Sequence, residues 1–283
     1  MNYYEPFVGG GAVFFHLYGV EPAIKFVGGK RQLLDQLIPH LPSTTPARSF
    51  LSDDNLRLVR MYRGVRDDVE TVIKYLRAYK QRYERAPRET YIQAREMSRL
   101  VQDGLSIIDV CTSDAFVAAW FVFVNKTAFN GLMRVNQKNE LNADWGRYKN
   151  PPICDEDRLR RCSAALQGVD VRHMDFERAL AKVKKGDFTY LDPPYVPVSK
   201  TASFTCYTPE GAKSTGLVAF QTRVRDVALR LKQRGVRVLV SNSSAPLVRQ
   251  LYTEEFAIVE VQARRMVNRD GTKRGKIGEV LMK

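Results

Sequence analysis

The sequence predicts an α/β protein, a doubly wound and mostly parallel sheet with an inserted, mainly helical module. Three observations predict it. Short apolar, β-prone runs are each followed by a helical period: "YYEPFV" before "GGGAVFFHLY", "ARSFLS" before "DDNLRLVRMYRGV", "VDVRHM" before "DFERALAKV" and "RGVRVLVSN" before "SSAPLVRQLY". The turns that end these runs, "GGG", "SDDN", "DF" and, after "GDFTYL", "DPPY", fall where parallel sheets bind ligands, beyond the carboxyl ends of the strands. The rhythm then breaks from about residue 56 to 165, where helical stretches such as "DDVETVIKYLRAYKQRYERA" give way to "NKTAFNGLMRVNQKNELNADWGRYKNPP". Residues 1–55 and 166–283 are therefore assigned to one domain and 56–165 to the inserted module.

Composition narrows the partner. The 283 residues carry 45 Lys and Arg against 31 Asp and Glu, a formal charge of +14. That excess suits a polyanion such as nucleic acid better than a neutral metabolite, although a solvated basic surface would have the same composition. Cys111, Cys154, Cys162 and Cys206 form no C-x-x-C pair, and with three histidines they offer no metal-like spacing, so no metal is expected. The longest apolar run, "FVAAWFVFV", is too short to span a bilayer, and no signal-peptide pattern opens the chain. A reducing, cytoplasmic protein without membrane contact is the expectation.

Each turn has its own chemistry. "EPFVGGG" ends a strand and opens a helix, so backbone can approach a ligand beside helix N–H groups; a tight structural turn would look the same. "GGKR" is no phosphate-binding Walker loop, because it lacks the upstream glycine and the Ser or Thr after lysine. In "FLSDDN", Asp53 or Asp54 stands where an acid clamps ribose hydroxyls, one strand–helix step from a glycine turn, which favours that reading over a plain helix cap. "DPPY" is more specific. Pro193 and Pro194 stop the strand and leave carbonyls available, so that Asp192 and a fixed carbonyl can accept both hydrogens of an amino group, with Tyr195 as a stacking face for a planar base. An exocyclic amine is a poor nucleophile because its lone pair is conjugated with the ring. Two acceptors on its hydrogens draw the nitrogen toward tetrahedral geometry and stabilise the charge that develops on attack.

These motifs together resemble the Dam-like (D12 class) DNA adenine-N6 methyltransferases, over nearly the whole chain. "YYEPFVGGGAVFFHL" resembles the family's cofactor glycine motif, "IKFVGGKRQLL" its other cofactor segment, "LSDDN" its ribose step, "MDFE" its adenine-end contact, "DPPY" its catalytic motif and "NKTAFNGLMRVN…GRYKNP" its DNA-recognition hairpin. The resemblance implies a Rossmann-like methyltransferase fold, S-adenosyl-L-methionine as cofactor with S-adenosyl-L-homocysteine as product, and double-stranded DNA as partner, bound by a monomer. It implies a catalytic set of Asp192, Pro193, Pro194 and Tyr195, and a cofactor set of Pro6, Phe7, Gly9, Gly11, Phe26, Lys30, Asp53, Asp175 and Phe176. Asp53 falls to the ribose, Asp175 and Phe176 to the cofactor adenine, and Phe26 stands where the family commonly has tryptophan. Lys30 would reach toward the methyl-transfer site or the target strand. Phe129 would wedge into the duplex, Asn130, Leu132 and Arg134 would lie near base edges, Arg147 would hold DNA, and "RRMVNRDGTKRGK" would touch phosphates. A GATC-like target and a place in DNA methylation or restriction-modification are family expectations.

Two departures stand out. In the family the lysine-bearing segment comes first and the "EPFVGGG" segment second; here they are exchanged. "TPEGAKSTGLVAFQTR", residues 208–223, replaces an expected shorter Gly-Phe turn before a helix. The exchange is expected to preserve the pocket, because both segments can make round trips from the far edge of the sheet. The rival enzymatic readings are N4-cytosine methylation and methylation of RNA or of a protein glutamine; the rival of another class is a non-catalytic DNA-binding protein on this fold.

Overall fold

The computed structural model describes residues 1–24, 30, 33–102, 113–197, 214–264 and 276–283. Phe26, the first six residues of the 208–223 loop and residues 265–275 of the basic segment lie outside the described residues. The elements run β1 (Asn2–Glu5), α1 (Ala12–Leu17), α2 (Leu34–Leu37), β2 (Arg48–Asp53), α3 (Leu56–Asp67), α4 (Val69–Arg85), α5 (Pro87–Glu96), α6 (Ser98–Gln102), α7 (Asp114–Thr127), α8 (Glu156–Leu166), β3 (Asp170–His173), α9 (Phe176–Leu180), β4 (Phe188–Leu191), α10 (Ser214–Gln233), β5 (Arg237–Ser243), α11 (Pro246–Tyr252), β6 (Ile258–Arg264) and β7 (Lys276–Met282). The seven strands form one sheet in the order β3-β2-β1-β4-β5-β7-β6. Pairing is parallel from β3 to β5, and β7 alone runs antiparallel, between β5 and β6.

Period-two alternation divides the core between the two faces of the sheet. Tyr3, Tyr190, Leu239 and Leu281 pack with α3 and α7 in one cluster; their neighbours Tyr4, Leu191, Val240 and Val280 pack with α9, α10 and α11 in the other. The first cluster continues without a break into the helices between β2 and β3. Its centre is α7, buried from Ala115 to Val124, which explains the long apolar run: a helix that is apolar all round is a core helix. No helix among the described residues is long and apolar enough to cross a membrane. Helix α3 crosses α7 so closely that a Cβ on Gly64 would run into the carbonyl oxygen of Asp114.

Short polar side chains begin the helices where the sequence put them. Asn55 caps α3 by accepting from Leu58 N at 3.3 Å, and Ser113 caps α7 through Phe116 N at 3.1 Å. One element is shorter than expected. Helix α9 ends at Leu180, because "KVKKG" turns the chain at Gly186 (φ 86°) into β4. The helix after the lysine segment is a single turn, α2, which tightens into a 3₁₀ turn at Ile38–His40 around Pro39.

Candidate active site and nucleic-acid face

Strand β1 lies between β2 and β4, so the turn after it is flanked by the turns that follow those two strands. That topology gathers the separated motifs. The "EPFVGGG" turn needs left-handed backbone at Gly9 (φ 46°) and Gly11 (φ 67°), which carries the chain from the strand end into α1. Gly9 N donates to Asp53 Oδ2 at 3.1 Å and Asn55 N to Asp53 Oδ1 at 3.0 Å. Burial pushes the Asp53 carboxyl up to about 6, against the pull of those two amides. Asp54, the other acid left open by the sequence, is exposed.

Pro6 follows β1 directly, and Phe7 next to it turns toward α9. Its ring lies 5.2 Å from that of Phe176, and both meet Phe220 edge-on, at 6.1 and 5.6 Å. Asp175 caps α9 through Glu177 N at 2.9 Å and is paired with Arg223 at 3.2 Å. The guanidinium of Arg223 also stands 5.1 Å from the Phe176 ring centre. Thus Asp175, Phe176, Phe7 and Asp53 come together around the "GGG" turn, with carboxylates at two points and an aromatic wall between.

Asp192 follows β4. Its Oδ1 is held by Lys30 Nζ at 2.9 Å and Ser241 Oγ at 3.0 Å. Among the described residues no donor reaches its Oδ2 or the carbonyl oxygen of Pro193, whereas the Pro194 carbonyl accepts from Gln221 Nε2 at 2.6 Å. Lys30 is 6 % exposed, so the lysine of "FVGGKR" sits inside the "DPPY" site. Its ammonium is also 3.5 Å from Glu279 Oε2, hydrogen-bonds the Tyr195 hydroxyl, and lies 4.1 Å from the Tyr195 ring centre. The cation therefore sits at the hydroxyl edge of the ring that the sequence reads as a surface for a base. The Tyr195 hydroxyl in turn donates to Glu279 at 2.6 Å. Burial raises both the Tyr195 and the Glu279 pKa; for Glu279, Lys30 and the tyrosine hydrogen bond pull the other way and are outweighed. Glu5, 2 % exposed and bonded to Tyr3 at 2.8 Å, is a further buried acid near Asp192 and is likewise pushed well up by burial.

Several of these partners were not singled out in the sequence. Ser241, Asn242 and Ser243 end β5: Asn242 Oδ1 accepts from Val196 N at 3.2 Å, and Ser243 Oγ donates to Val196 O at 2.6 Å, fixing the chain after "DPPY". A polar "SNS" at the end of an apolar strand was the available signal. Gln221, fully buried and linked to Asn242 at 2.9 Å, comes from the departing 208–223 stretch, as does Phe220. Glu279 had only the signal of one acid in the apolar run "GEVLM".

The residues that the sequence reading assigns to DNA recognition occupy another part of the surface. Asp114 at the start of α7 pairs with Arg60 at 2.6 Å, and Trp120 lies over Arg57 in the first turn of α3, so α7 runs antiparallel to α3 and ends toward the strands' carboxyl edge. Phe129, 49 % exposed, and Asn130 (φ 52°) form the turn that follows. Asn130 N donates to the Tyr148 hydroxyl at 2.9 Å. A small hairpin then pairs Val135 with Leu141, and Ala128 pairs with Trp145 below it. Leu132 is half-buried; Arg134 is exposed and reaches across to Asn142 Oδ1 at 2.9 Å. Arg147 is exposed with left-handed backbone, φ 54°.

Comparison with known proteins shows the family. The model of the D12 class N6 adenine-specific DNA methyltransferase family matches residues 44–267, a span that begins after the "EPFVGGG" and "FVGGKR" segments. The type II methyltransferase M1.LlaDCHI of Lactococcus lactis subsp. cremoris is 35 % identical over 283 residues, covering 99 % of this chain and 85 % of that protein. The type II methyltransferase M.MjaIII of Methanocaldococcus jannaschii is 34 % identical over 274 residues, covering 96 % and 84 %. The DNA adenine methylase of Escherichia coli (strain K12) is 28 % identical over 277 residues, covering 91 % and 93 %. This chain belongs to the D12 class of N6 adenine-specific DNA methyltransferases.

Proposed function

We propose that the protein methylates adenine N6 at specific sites in double-stranded DNA, using S-adenosyl-L-methionine and a target base turned out of the duplex. The observation that carries the reading is the state of the "DPPY" acceptors. Lys30 and Ser241 fix one oxygen of Asp192, and its other oxygen and the Pro193 carbonyl meet no donor among the described residues. Two acceptors side by side, one on a strand end and one locked by proline, suit the two hydrogens of an amino group.

The residues around the "GGG" turn fit the cofactor's polar ends. Asp53 would take ribose hydroxyls, Asp175 an adenine amine, and Phe7 and Phe176 the adenine ring. Bound there, the cofactor supplies an electrophilic methyl group on a sulfonium. The chain's own part is to hold the amine nitrogen in line and to stabilise the positive charge that grows on it as the C–N bond forms and the S–C bond breaks, which Asp192 does as a carboxylate and the Pro193 carbonyl as a dipole, until the nitrogen releases one proton to solvent. A base enclosed by this site must leave the stack, since a buried strand end cannot reach an atom inside a duplex. Tyr195, held at its hydroxyl by Lys30 and Glu279, would offer it a ring face. Residues 56–165 would supply recognition, with Phe129 as the wedge, Asn130, Leu132 and Arg134 toward base edges and Arg147 on the backbone.

Single-turnover transfer of a labelled methyl group to duplex DNA tests the assignment. Asp192→Ala should lose about 10²- to 10³-fold in rate, the scale of one lost preorganised partner at a reacting centre, and Asp192→Asn should lose less because it keeps one acceptor oxygen. Duplex binding should survive in both. Near-normal rates in both variants would remove Asp192 from the chemistry.

A further inference from the structure

Helix α3 starts directly after Asp53–Asn55, and its second residue is a buried cation. Arg57 is 6 % exposed, in a first turn where the helix dipole disfavours positive charge. Its Nη2 donates to two backbone carbonyls, Asn139 at 2.6 Å and Ser98 at 3.1 Å, and the guanidinium faces the Trp120 ring at 6.0 Å. Ser98, 1 % exposed, uses its own hydroxyl to accept from Leu141 N at 3.1 Å, and Arg99 pairs with Glu140 at 2.9 Å. Three consecutive residues, Asn139 in the turn of the hairpin and Glu140 and Leu141 on its returning arm, are therefore docked on α3 and α6. The opposite arm follows from them: Asn142 N donates to Arg134 O at 2.9 Å, and Arg134 Nε donates to Asn142 Oδ1 at 2.9 Å.

We propose that Arg57, with Ser98, is a positioning residue for sequence readout, holding the hairpin at the height and register from which Arg134 meets the bases. The proposal rests on the reading of this hairpin as the DNA-reading element. A planar guanidinium suits the task because its donors leave in fixed directions, so two carbonyls on separate elements are held at a set spacing. Neither residue need touch DNA. The same helix begins at the cap beside Asp53, so the cofactor edge and the hairpin share one rigid support.

Selection from a randomised duplex library, with S-adenosyl-L-homocysteine present, compares the full-length wild type with Arg57→Met and Ser98→Ala. Sequencing gives the enrichment of the preferred site, and filter binding against salt gives the non-specific term. Arg57→Met should keep non-specific binding within about threefold and the same salt slope, since no phosphate contact is removed, while enrichment falls about tenfold or more. Ser98→Ala, a smaller change, should move enrichment the same way by a smaller factor. Wild-type enrichment in both variants overturns the proposal, and so does an equal loss of specific and non-specific binding. If Arg57→Met does not fold, unchanged enrichment in Ser98→Ala overturns it alone. A wild type that enriches no site overturns the hairpin reading and this proposal with it, which separates that failure from the others.

Discussion

Glu279→Gln separates holding the site together from tuning it. Glu279 is 8 % exposed and stands 3.5 Å from the Lys30 ammonium, which Asp192 also holds, at 2.9 Å. At an effective dielectric of about 20, Coulomb's law gives roughly 5 kcal/mol of attraction to Glu279 and roughly 6 to Asp192, so the two acids compete for one cation on nearly equal terms. Glutamine keeps the shape and an oxygen for the Tyr195 hydroxyl but leaves Asp192 as the one carboxylate paired with Lys30 among the described residues. The target amine then shares Asp192 with a more tightly held ammonium, and single-turnover transfer should slow by about 10- to 100-fold, roughly 1.4 to 2.7 kcal/mol. Stability should move the other way. Burial raises the Glu279 pKa above the ordinary glutamate value even with Lys30 beside it, so the folded state binds the proton more tightly than the unfolded state does. Stability contributed by this group therefore falls as pH rises from the ordinary glutamate range through the raised value. Glutamine does not titrate, so the melting temperature of the variant relative to wild type should climb with pH across that window. Thermal melts from pH 4 to 8 beside the transfer assay decide the matter. A variant that loses stability relative to wild type as pH rises, or that transfers methyl groups at the wild-type rate, would refute the reasoning.

Asp53 and Arg134 give two further expectations. With its pKa near 6, Asp53 is largely protonated below that value, so calorimetric affinity for S-adenosyl-L-homocysteine should rise with pH through about 6 and then level, while Asp53→Asn should be flat; the same raised value means that folding stability from this group falls as pH rises from the ordinary aspartate range to 6. Arg134→Ala should relax site choice by about 1 to 3 kcal/mol at one base pair with little change in non-specific binding; a uniform loss with a shallower salt dependence would mark a phosphate contact instead.

The parallel core of the fold was legible because its signals are local. Apolar runs alternate faces residue by residue, as Tyr3 and Tyr4 do, and each is closed by a turn whose chemistry is written in glycine, proline or acid. The partners of those turns were not legible, because they are set by sheet order. Glu279 meets Tyr195 across 84 positions only because β7 inserts antiparallel beside β5, and nothing in "GEVLM" states that pairing. Arg57 was hidden for a similar reason. An arginine in a helix's first turn is solvated by default, and its burial depends on α6 and the hairpin closing over it. The one-turn α9 was overread because periodicity in "DFERALAKV" continues past the point where the chain must turn into β4.

The exchanged order of the two N-terminal segments has a simple geometric basis. Strands β1 and β2 are parallel neighbours, with Asn2 opposite Arg48, so β1, α1 and β2 form an ordinary strand–helix–strand crossover with residues 20–47 spliced into its return. The splice passes the carboxyl edge at Lys30, descends through α2, brings His40 within electrostatic reach of Lys283, and ends where Ala47 N donates to Met1 O at 3.0 Å. The end of the splice and the start of β1 are thus already hydrogen-bonded neighbours. In the opposite order residue 47 would lead straight into β1 across that contact, and α1 would return directly to β2, with every strand pairing unchanged. Loop-closure entropy grows only slowly with length, so the chain has little reason to prefer one path. What the order must conserve is where Lys30 arrives, and Lys30 arrives on Asp192.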